Sequence, residues 1–99
     1  MTVTEMLNEA ADTFDQRAKV YGESHKKTGY VLETLFRGTA INLDSPDALN
    51  RFNILLIIVG KLNRYVANFN TGGHEDSLID IAVYTQMLRE LHQNEMENK

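Results

Sequence analysis

Ser45-Pro46-Asp47-Ala48-Leu49-Asn50-Arg51-Phe52-Asn53-Ile54-Leu55-Leu56-Ile57-Ile58-Val59-Gly60-Lys61-Leu62-Asn63-Arg64 is the stretch that decides the fold. Ser45 suits a helix N-cap, Pro46 suits the first helical position, and Asp47 places an acid in the first turn. The helix that starts here is predicted to run from Pro46 to about Phe69, roughly 36 Å at about 1.5 Å per residue. From Ile54 to Val59 it is apolar almost all round, so it must be covered on most sides. A short chain has few helices to offer as cover. Self-association into a homo-oligomer is therefore expected, because large exposed apolar patches are uncommon on monomers.

Outward from this helix the remaining segments are also helical by pattern. Leu7, Ala10, Ala11, Phe14, Ala18 and Tyr21 recur at steps of three and four, which makes one apolar stripe. A first helix is predicted over about residues 4–20, with Thr4 as its cap and Gly22 as its stop. A second is predicted over about 23–37, firm only after Tyr30 because Gly29 weakens its first half. The Asn70-Thr71-Gly72-Gly73 turn then returns the chain antiparallel into a fourth helix over about 74–94. The fold class is all-α: a single four-helix, bundle-like domain spanning residues 1–99 with a long central helix.

Composition narrows the function classes. The 99 residues include no cysteine, ten basic and fourteen acidic side chains, for a net charge of −4. Disulfides and thiolate metal sites are excluded. Acids in excess argue against nucleic acid as a partner, since a duplex binder normally gathers a basic face. The run Ile54–Val59 is far short of the roughly 20 residues of a membrane span, so no membrane partner is expected. The Met1-Thr2-Val3-Thr4-Glu5 start lacks the basic and apolar regions of a secretory signal, and a cytoplasmic location is expected.

The residues that can carry chemistry lie on two helices. Asp80 is flanked on both sides by apolar neighbours, where a carboxylate is costly unless paired. Asp76 lies four residues before it and Tyr84 four after, so the three share a stripe. Asn53, Ile57, Lys61, Arg64 and Asn68 fall along one side of the central helix. The antiparallel return brings Lys61 and Arg64 within reach of Asp76 and Asp80. Two readings follow: a salt-bridged hairpin, or a charged pocket where a phosphate competes for the arginine. Arg17 and Tyr21 before Gly22 form another candidate group, with Tyr21 either in the core or stacked on a base. His25, His74 and His92 show no metal-ligand spacing. Ser24 and Ser77 lack a context for nucleophilic activation.

These residues resemble a family of small phage and prophage domains of unknown function. That family carries Arg-x-x-x-Tyr-Gly, then Lys-x-x-Arg, then His-x-Asp-Ser-x-x-Asp-x-Ala-Gly-Tyr. Here they read Arg17 with Tyr21-Gly22, Lys61 with Arg64, and His74-Glu75-Asp76-Ser77-Leu78-Ile79-Asp80-Ile81-Ala82-Val83-Tyr84. Val83 replaces the family's usual glycine, and the second helix lacks its usual tryptophan. The family in turn resembles MazG-like nucleotide pyrophosphohydrolases and phage nucleotide-modification-associated domains. The resemblance implies a nucleotide or nucleotide-derived ligand held by Arg17, Tyr21, Lys61, Arg64, Asp76, Asp80 and Tyr84, without a cofactor. A role in sequestering a host immune signal or in phage nucleotide metabolism is admitted by it. The alternatives are a magnesium-dependent hydrolase using Glu75, Asp76 and Asp80, and a non-catalytic structural or inhibitory protein. Lys61 and Arg64 stand where MazG-like enzymes have acidic magnesium ligands, and cations cannot replace those oxygen donors.

Overall fold

The computed structural model describes residues 1–97. Among them are four helices and no strand: α1 Val3–Tyr21, α2 Thr28–Phe36, α3 Pro46–Ala67 and α4 Glu75–Glu97. The all-α architecture expected from the sequence is what the chain adopts. α3 and α4 form a long antiparallel hairpin, and α1 and α2 pack on α3. No helix among the described residues is long and apolar enough to cross a membrane.

Local chemistry explains the helix ends. Ser45 is the α3 cap, its hydroxyl accepting the Ala48 N–H at 3.1 Å, with Pro46 in the first turn. This satisfies one of the donors that a helix start leaves unpaired. α1 begins earlier than expected. Thr2, not Thr4, is its cap: its oxygen accepts the Glu5 N–H at 3.2 Å, and its hydroxyl donates to the Glu5 carboxylate at 3.1 Å. That reciprocal pairing resembles a capping box. α2 begins later than expected, at Thr28 instead of Glu23. Ser24–Lys26 form a tight 3-10 turn instead, closed by the Thr28 hydroxyl donating to the Ser24 carbonyl at 2.9 Å.

The core is thin. Among the described residues only Ala48 and Val59 are buried apolar residues, and Ile54 to Ile58 are half-buried. No residue of α1 is buried. Its apolar stripe is covered only at the C-terminal end, where Ala18 and Tyr21 become half-buried. Further back, Leu7 is 65% exposed and Phe14 48%. The molecule is accordingly elongated, with principal extents of 52 × 36 × 27 Å.

Candidate functional site

The turn end of the α3–α4 hairpin gathers most of the singled-out residues. The last turn of α1 crosses α3 there at close range. At Gly22 (φ 70°, ψ −173°) the backbone is in a region essentially restricted to glycine. A Cβ at Gly22 would lie 3.1 Å from that of Ala67, so glycine also allows the close approach. Asn68 fastens the crossing. Its side-chain amide donates to the Val20 carbonyl on α1 and to the Arg64 carbonyl one turn back on α3, the latter at 2.9 Å.

This crossing sets Tyr21 beneath Arg64. The guanidinium carbon of Arg64 lies 4.2 Å from the centre of the Tyr21 ring, a cation–π stack. His74 also meets Tyr21, the two rings nearly perpendicular with centres 6.2 Å apart. His74 Nδ1 shares a 2.6 Å hydrogen bond with the hydroxyl of Ser77, which is 1% exposed and the most buried polar residue among those described. Arg64, Tyr21, His74 and Ser77 thus form one continuous chain of contacts from α3 through α1 to the start of α4.

The expected pairing of cations with carboxylates holds for one pair only. Lys61 Nζ meets Asp80 Oδ2 at 3.0 Å, with the lysine side chain 16% exposed and the aspartate 43%. Asp80 is therefore half-exposed, not deep in the core. Its apolar neighbours Leu78, Ile79 and Val83 are themselves exposed, which explains why flanking hydrophobicity did not bury it. Arg64 does not reach Asp76. Among the described residues neither makes an ion pair, and Asp76 stands exposed. Tyr84 is half-buried one turn beyond Asp80, and Arg17 stays exposed on α1 one turn before Tyr21.

His74, Ser77 and Asn68 are the members that sequence reasoning left without a role. Asn68 already fell on the Lys61–Arg64 side of α3. A histidine three residues before a serine at a helix start was the signal for the other two. Nearby in sequence, Lys26, by hydrogen bond and by charge, holds the Glu23 carboxyl below the usual glutamate range.

The donor set does not suit magnesium. Lys61 already occupies the Asp80 carboxylate, and no group of three histidine, aspartate or glutamate side chains among the described residues is placed to hold a metal ion. A cleft of about 730 Å³ lies elsewhere. It opens at the other end of the hairpin, between Phe36, Leu43, Phe52 and Leu88. There Arg51 is held by Glu95 through two contacts, at 2.6 and 3.2 Å. Comparison with known protein families, with curated proteins and with solved structures finds no match to this chain.

Proposed function

We propose that this is a small binding protein for a phosphate-bearing molecule of the nucleotide class, held at the turn end of the hairpin. One observation carries the reading: Arg64 is held by its face on Tyr21 while no carboxylate among the described residues pairs with its edge. A stacked guanidinium keeps its planar fork of N–H donors for a bidentate acceptor, and phosphate matches that fork. His74 adds a second polar group beside the Tyr21 ring, and Lys61, already paired with Asp80, lies one turn earlier on α3. The resemblance to phage domains admits a nucleotide-derived signal as the ligand. Arg17, Asp76 and Tyr84 lie at the periphery of this arrangement.

A structural reading is favoured by the Lys61–Asp80 pair, which ties α3 to α4 without any ligand. Thermal shift with a nucleotide panel, with and without magnesium, separates the readings. A ligand at a hundred times its dissociation constant stabilises by about 2.7 kcal/mol. A magnesium-independent shift is expected for the binding protein. Turnover of a triphosphate would instead favour the hydrolase, and a uniformly silent panel the structural role.

A further inference from the structure

The chain exposes far more surface than its mass requires. Its accessible surface is 7669 Å². A compact monomer of 11.3 kDa exposes about 5,700 Å². Its Cα radius of gyration is 16.9 Å, where a compact chain of this length has about 13 Å. The excess, about 1,900 Å² per chain, is the scale of an obligate homodimer interface, roughly 1,000–2,500 Å² per partner.

Two largely uncovered apolar surfaces contribute to it, and they complement one another. One is the overhanging part of α1, where Leu7 and Phe14 stand exposed on a continuous stripe, Phe14 touching the His25 ring. Glu5, Glu9, Asp12 and Asp15 lie along these turns, with no basic residue before Arg17. The other is the open cleft at the far end of the hairpin. Its walls are mostly apolar, its charged groups are Arg51 and Arg89, and no acid lines it. Arg51 is engaged by Glu95, whereas Arg89 makes no ion pair among the described residues.

We propose that the overhanging stripe of α1 in one copy seats in this cleft of a second copy, reciprocally, forming a two-fold dimer. One surface pairing used twice satisfies both patches and closes the assembly, as an isologous interface does. The acidic turns of α1 then approach Arg89, which favours the encounter and fixes its orientation.

Sedimentation equilibrium and cross-linking test this together. The wild-type chain is expected to be dimeric at micromolar concentration. Leu7→Glu places a charge on the stripe at a residue that the single chain leaves exposed, and is expected to weaken the dimer by about a hundredfold or more. The chain lacks cysteine, so Ala11→Cys and Leu43→Cys variants can be mixed and oxidised without background. A disulfide between the Ala11→Cys chain and the Leu43→Cys chain is the expected product. A wild-type monomer at high concentration overturns the proposal. So does a Leu7→Glu chain that remains dimeric, or cross-linking only between two Ala11→Cys chains, which would place stripe against stripe.

Discussion

Arg51 and Arg64 both project from α3, one near each end of the hairpin, and each meets a different kind of neighbour. Arg51 grips the Glu95 carboxylate of α4 through two contacts. Arg64 lies flat on Tyr21 and has no carboxylate partner among the described residues. The first arrangement spends the guanidinium fork on holding two helices together. The second immobilises the guanidinium by its face and leaves the fork for something else. Pairing of this kind, more than residue type or position on a helix, separates an arginine that packs from one that can bind.

The largest expected effect concerns what holds the Arg64 end in place. Gly22→Ala should cost about 2–3 kcal/mol, because it forces alanine into a glycine-only backbone region against Ala67. Urea melts measure it. Gly60→Ala is the matched control in the middle of α3. A Cβ there meets nothing within 4 Å, so the change should stabilise by roughly 0.5–1 kcal/mol. Equal effects from the two would mean that the α1 crossing does not hold the Arg64 end.

A smaller effect probes the paired end and the neighbouring pair. Arg51→Ala should cost about 1 kcal/mol, since both partners are part-exposed and the geometry is two-pronged. Asp80→Ala should cost about 0.5–1 kcal/mol by removing the partner of the well-covered Lys61. Asp76→Ala, at an exposed carboxylate without an ion pair, should stay within about 0.5 kcal/mol. A loss at Asp76 equal to that at Asp80 would contradict the placement of both.

Much of this hairpin was legible from the sequence. Ser45-Pro46-Asp47 set the start of α3. Four-residue steps with an antiparallel return put Lys61 opposite Asp80. The partner of Arg64 was not legible, because it depends on how α1 crosses α3. That crossing is set by Gly22 against Ala67 and by Asn68 bonding to Val20, residues nearly fifty positions apart. Local periodicity carries no information about such a contact. The exposure of Asp80 was not legible for a related reason. Apolar neighbours in sequence bury a side chain only if something packs over them, and here Leu78, Ile79 and Val83 stand exposed.

The smallest expected change in stability is also the sharpest test of the contrast between the two arginines. Arg64→Lys keeps the positive charge over Tyr21 and loses the planar fork. An ammonium also makes a cation–π contact with tyrosine, so the fold should move by no more than about 0.5 kcal/mol. Affinity for a phosphate-bearing ligand found by thermal shift should fall by about tenfold or more, since each tenfold step is about 1.4 kcal/mol and a two-point hydrogen bond becomes one. Calorimetry on both proteins reads the ratio directly. Arg51→Lys supplies the mirror image: its stability should drop by up to about 1 kcal/mol as the two-pronged grip on Glu95 is lost, while ligand affinity stays at the wild-type value. If Arg64→Lys instead loses stability and keeps its affinity, the stack on Tyr21 is packing, and Arg64 belongs with Arg51.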